Sequence, residues 1–124
     1  MNDIATDKPV VTHHECNESL SAIEDSLYAI GGKWKLKIIS ALRDDGRSKR
    51  FNELQRMVTG ISARVLSNEL KELEMNGIVK RQVYTEVPVV IVYELTEYSE
   101  TLGGILAELV DWGKKHRQRI RGRE

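Results

Sequence analysis

The chain has one cysteine, two prolines, one phenylalanine and a formal net charge of zero. A lone thiol excludes an internal disulfide, so the core must hold the fold, and it agrees with a reducing cytoplasm, the localisation expected here. No apolar run approaches the roughly 20 residues needed to cross a bilayer. The N-terminus lacks a basic segment followed by an apolar one, so neither a membrane partner nor a secretory signal is expected. Phosphate-binding glycine loops, a nucleophile with its base and usefully spaced carboxylate pairs are all missing, so no enzyme and no cofactor is expected. What remains is a 124-residue globular chain, 40% hydrophobic and 31% charged, large enough for one core.

Zero net charge argues against a nucleic-acid partner only until its distribution is read. Residues 1–30 hold six acids and one base, residues 31–83 twelve bases and six acids, and residues 84–124 six bases and seven acids. The middle of the chain is therefore the electropositive part.

Residues 1–15 are polar and aperiodic and are expected to form a flexible arm. From about Glu18, Leu20, Ile23, Leu27 and Ile30 recur at helical spacing, and Gly31-Gly32 ends that helix. A second helix, Lys33 to Leu42, places Trp34, Ile38, Ala41 and Leu42 inward and Lys33, Lys35 and Lys37 around the rest. After the turn at Asp44-Asp45-Gly46, Arg50-Phe51 is read as a short strand. Asn52 to Val58 then forms a helix with Asn52 as its cap and Phe51, Leu54 and Met57 inward.

The stretch from Gly60 to Gly77 organises the rest. Ser62 suits an N-cap, Gly77 a left-handed C-terminus, and Leu66, Leu70 and Leu73 one narrow stripe. Arg64, Asn68, Lys71 and Met75 lie opposite, with Ser67 at the edge. Taken alone, an ordinary amphipathic helix with a solvated face is the plainer reading of these residues. Its neighbours favour more: a short helix, a glycine-containing turn at Thr59-Gly60 and a longer helix make a helix-turn-helix.

Two strands, Ile78–Tyr84 and Val89–Leu95, follow as a hairpin wing around Thr85–Pro88, with one face on the core and its loop end partly covered. Thr96 caps a final helix whose Leu102, Ile105, Leu106, Leu109, Val110 and Trp112 present more apolar surface than one small core needs. With Leu20 of the first helix, Leu102, Ile105, Leu106, Leu109 and Trp112 form a candidate homodimer interface. Gly103-Gly104 is expected at a close crossing with another helix. The chain thus divides into an arm at 1–15, a domain at 16–117 and a basic tail at 118–124. Its class is α+β, mainly α: a winged helix-turn-helix with a two-stranded β wing and terminal dimerisation helices.

The motifs Gly32-Lys-Trp34, Arg50-Phe-Asn-Glu-Leu54, Gly60-Ile-Ser62, Leu70-Lys-Glu-Leu73, Gly77-Ile-Val-Lys-Arg81, Val87-Pro88, Tyr93-Glu-Leu-Thr96 and Trp112-Gly113, with Cys16 ahead of them, resemble the HxlR-type winged helix-turn-helix regulators. The resemblance covers about residues 16 to 113 and departs from the family pattern at Asn17, Ser99 and Gly103-Gly104. It implies a cytoplasmic homodimeric transcription regulator on an inverted repeat of double-stranded DNA, with the Ser62 helix in the major groove. It also implies a small electrophile or oxidant as effector, sensed through Cys16.

On that reading Arg64 and Lys71 address guanine and Asn68 adenine, with Ser62 and Ser67 beside them. Lys35, Lys49, Arg50, Lys80 and Arg81 hold phosphates. An adduct or an intersubunit disulfide at Cys16 changes the dimer; an inert thiol packed at the seam is the plainer role. A metal at His13-His14-Glu15-Cys16 is not expected, because the ligands crowd on a tail. The competing function is a winged helix used only for protein association, which would show no salt-dependent DNA affinity.

Overall fold

The computed structural model describes residues 13–44, 46 and 48–122, with side chains from Cys16 onward. The expected arm falls at 1–12 outside the described residues. Residues 13–15, also assigned to it, already belong to helix α1, His13–Ile30. Helices α2 (Lys35–Arg43), α3 (Phe51–Met57) and α4 (Ala63–Met75) follow, with strand β1 (Ser48–Arg50) between the first two. Strands β2 (Val79–Tyr84) and β3 (Val90–Leu95) lead into a 3-10 segment, Glu97–Leu102, and helix α5, Gly103–Arg121. This is a winged helix-turn-helix, mostly helical, with a small antiparallel sheet and a long C-terminal helix.

The core consists of Ile30, Ile38, Ile39, Leu42, Leu54, Val58, Ile61, Leu66, Leu70, Leu73, Ile78, Val79 and Leu95. It joins α2, α3 and α4 to the base of the sheet, so the helix-turn-helix is braced from three sides. Gly60, at φ 90°, takes the left-handed conformation that the turn between α3 and α4 requires, and Gly77, at φ 75°, does the same after α4. Helix α3 begins one residue before the expected cap. Arg50 is the capping residue, and its backbone N–H donates to Glu53 Oε1 at 3.0 Å. Met57, expected inward, is 41% exposed because the short helix ends there and Val58 fills the core instead.

The wing differs from the expected two-stranded hairpin. Its sheet has three strands in the order β1-β3-β2, because Ser48, Lys49 and Arg50 pair with Glu94, Tyr93 and Val92. The pairing of β1 with β3 ends at Arg50–Val92, and the tip is bare: Val87 is 98% and Val89 63% exposed. Among the described residues nothing supplies the partial cover expected for the loop end.

Thr96 caps, as expected, but a 3-10 turn rather than α5 directly. Its Oγ1 accepts from Ser99 N and donates to Ile78 O, tying the exit of the wing to the exit of α4. Gly103 lies against the Arg43 guanidinium, and an added Cβ there would sit 3.6 Å from it. Gly104 faces open space among the described residues of this chain. Helix α5 runs through Arg121, past position 117, since no breaker intervenes before Gly122 and Lys115 pairs with Asp111 one turn back at 3.1 Å.

Candidate nucleic-acid interface

Helix α4 is built to show one face. Ser62 Oγ accepts from Val65 N at 3.1 Å, which satisfies a first-turn donor and sets where the helix starts. Leu66, Leu70 and Leu73 are at most 1% exposed. At about 100° per residue that seal turns Arg64, Asn68, Lys71 and Met75 outward, and all four are exposed. Ser62 is exposed and Ser67 half-buried beside them. The outer face therefore combines two long cations with a side-chain amide, the groups that bind base edges in a groove.

The cations expected to hold phosphates separate into two groups. Arg50, Lys80 and Arg81 are exposed. Lys80 lies 3.8 Å from Glu94 across the sheet, a loose surface pair that leaves its ammonium available. Lys35 and Lys49 point inward, contrary to the expectation. Lys49 is 8% exposed, and its Nζ donates to Asp44 O at 2.6 Å, closing the turn before β1. Lys35 is 6% exposed, with its Nζ 3.0 Å from Glu69 Oε1 and 2.6 Å from Glu72 Oε1 on α4. Burial works against its positive charge, but hydrogen bonds and attraction from Glu72 and Glu69 outweigh that and hold its pKa above the ordinary 10.5.

The spacing of Lys35 contained the warning. Residues 35, 38, 39 and 42 form one helical stripe, and all four are buried. The outward lysines of that segment are Lys33 and Lys37, which lie over the half-buried Trp34 ring at 4.8 and 5.1 Å from its centre. Lysine spacing alone does not separate these two from Lys35. Arg56, exposed on α3 and in the same groove as Arg50 and Asn52, was also missed.

The terminal helices carry the other candidate surface. On α1, Leu20, Ile23, Leu27 and Tyr28 are 53–76% exposed; on α5, Ile105, Leu109, Val110 and Trp112 are 45–63% exposed. Leu102 and Leu106, assigned to the same interface, are half-buried against this chain's own core. Cys16 is exposed on the first turns of α1, inside the helix rather than just ahead of it. Among the described residues there is no group of three or more His, Cys, Asp or Glu placed to hold a metal, and no helix long and apolar enough to cross a membrane.

A family model described as HxlR-like helix-turn-helix matches residues 29–121. The chain belongs to the HxlR family. As a member it is a DNA-binding helix-turn-helix transcriptional regulator, the non-enzymatic role its relatives share. It is 41% identical over 98 residues to the HTH-type transcriptional regulator YdeP of Bacillus subtilis, covering 79% of this chain and 75% of that one. The crystal structure of a putative HTH-type regulator, ytcD, superposes with a TM-score of 0.71 at 42% identity, over 77% of this chain and 96% of that one. The redox regulator HypR in its reduced form gives 0.73 at 40% identity, covering 82% and 98%. In its oxidised form it gives 0.69 at 41%, covering 76% and 95%.

Proposed function

We propose that this HxlR-family chain acts as a homodimer on a pseudo-palindromic operator, reading bases with Arg64, Asn68 and Lys71 of α4. The observation that carries the reading is the outward presentation of those three side chains by a helix whose opposite stripe is sealed in the core. In a two-fold dimer the two α4 helices enter successive major grooves about 34 to 36 Å apart. Arg50, Lys80 and Arg81 hold phosphates on either side, with Ser62 and Ser67 at the groove edge; Lys35 and Lys49 drop out because they are buried. The bare apolar faces of α1 and α5 supply the contact between copies, with Leu20, Ile105, Leu109 and Trp112 at its centre.

Cys16 is the proposed switch. It is exposed, it sits on the same helix as the uncovered Leu20 stripe, and HypR, a relative described as a redox regulator, has been solved in two oxidation states. Two Cys16 thiols from partner copies, oxidised by diamide, lose two protons and two electrons to it and form one S–S bond. An electrophile such as a quinone instead adds to a single sulfur. Either event alters the terminal helices and thereby the spacing of the α4 pair. Selection from random duplex DNA with and without diamide tests the whole reading. A palindromic consensus whose enrichment falls after oxidation is expected. No enrichment would overturn the DNA reading, and a Cys16→Ser protein that still responds to diamide would overturn the switch.

A further inference from the structure

Helix α4 carries the wrong net charge for a helix that approaches a polyanion. Between Ala63 and Met75 it has Arg64 and Lys71 against Glu69, Glu72 and Glu74, two bases to three acids. Glu72 lies only about 40° around the helix from Asn68, at 100° per residue, and its side chain is 53% exposed. Left alone, that carboxylate would stand beside the phosphates flanking the groove and repel them.

It is not left alone. Lys35 reaches from the first turn of α2, more than thirty residues away in sequence, and contacts both Glu69 and Glu72 through one ammonium. Glu69 and Glu72 share the flank of α4 that faces α2, between the leucine stripe and the outer face. We propose that Lys35 is a positioning residue for DNA recognition: it draws both carboxylates back toward α2 and offsets their charge, so that α4 meets the operator with Arg64, Asn68 and Lys71 foremost. The proposal rests on the DNA-reading role assigned to α4 above. A mere brace would be redundant, because Leu66, Leu70 and Leu73 already seat the helix. A desolvated ion pair is also a poor source of net stability compared with apolar packing.

The test uses the full chain and a selected operator, with binding followed by fluorescence anisotropy and folding by circular dichroism. Lys35→Met is expected to weaken operator affinity about tenfold, and Lys35→Arg to lose far less. Lys35→Met/Glu69→Gln/Glu72→Gln removes the cation together with the carboxylates it offsets, and is expected to return affinity to within about threefold of wild type. A folded Lys35→Met protein with wild-type affinity would overturn the proposal and reduce Lys35 to a brace. So would a triple variant as weak as Lys35→Met. If Lys35→Met does not fold, the neutral triple variant decides alone: near wild-type affinity supports charge offset, and a tenfold loss refutes it. Arg64→Ala is measured alongside. If it binds as tightly as wild type, the reading of α4 itself fails, and the Lys35 proposal with it.

Discussion

In α4 the stripe of Leu66, Leu70 and Leu73 is sealed within its own chain, whereas in α5 Ile105, Leu109, Val110 and Trp112 remain 45–63% exposed and no residue of the helix is buried. Both helices are amphipathic, and both have the composition of a surface that ought to be covered. Helix α4 is enclosed by α1, α2 and β2, so its apolar side is satisfied in cis and its polar side becomes the presented one. Helix α5 leaves the head, the body formed by α2, α3, α4 and the sheet, after Leu102 and Leu106, and the rest of its apolar side faces outward. The pattern of a helix states that one side needs cover; it does not state which chain provides it. The same contrast underlies the two proposed tasks, base reading at the sealed helix and association at the bare ones.

The contrast can be broken most severely inside the head. Leu70→Ala leaves a cavity among residues that cannot easily collapse and is expected to cost about 2 to 5 kcal/mol of folding stability, read as a lower denaturant midpoint for the whole domain. The matching change on the bare side, Leu109→Asp, is expected to leave the domain folded while costing association about 2 kcal/mol or more. Sedimentation at micromolar concentration should show the wild-type chain as a dimer and the variant shifted to monomer; a wild-type monomer would remove the explanation offered for the α5 surface. Arg64→Ala sharpens the other half of the comparison, with an expected loss of about 1 to 3 kcal/mol in operator binding and relaxed preference at one position, and an unchanged melting temperature. Ser62→Ala removes the cap on α4 and is expected to cost about 1 kcal/mol of stability, measured by chemical denaturation.

The smallest effect concerns pH. The Lys35 pKa is raised above 10.5 in the folded chain, so its ion pairs contribute fully below the unfolded value and fade as pH rises through the folded one. Stability measured from pH 7 to 9 should therefore show no decline attributable to Lys35, and a decline should appear only above about pH 10.5. A loss already complete at pH 9 would contradict the triad of Lys35, Glu69 and Glu72.

Most of the head was legible in order and type. The Ser62 cap, the leucine stripe of α4, the glycine turn at Gly60 and the two wing strands follow from local rules, because caps, helical periods and left-handed turns depend on residues within one or two turns of each other. The errors lie where distant residues decide. Lysine is rarely buried, which on local grounds places Lys35 and Lys49 at the surface; the carboxylates that accommodate Lys35 are more than thirty residues away, and the Asp44 carbonyl that accepts from Lys49 belongs to a turn the sequence shows without showing which side chain closes it. The short strand expected at Arg50-Phe51 lies at Ser48–Arg50, with Phe51 already helical, and its place in the sheet is hidden because three residues gain their extended form by pairing with β3. Leu102 and Leu106 share the outer stripe of α5 by spacing, although at the end of the 3-10 segment and in the first turn of α5 both still pack against the core.

By itself the sequence determined where the helices and the wing lie, which residues of α4 face each other across it, and the family, because those depend on spacing and local conformation. Tertiary structure alone decided which lysines are offered to a ligand, that β1 joins the sheet, and which apolar faces the chain leaves uncovered. Those outcomes depend on partners brought together only when the chain closes on itself, and no local period encodes the neighbour that burial will supply.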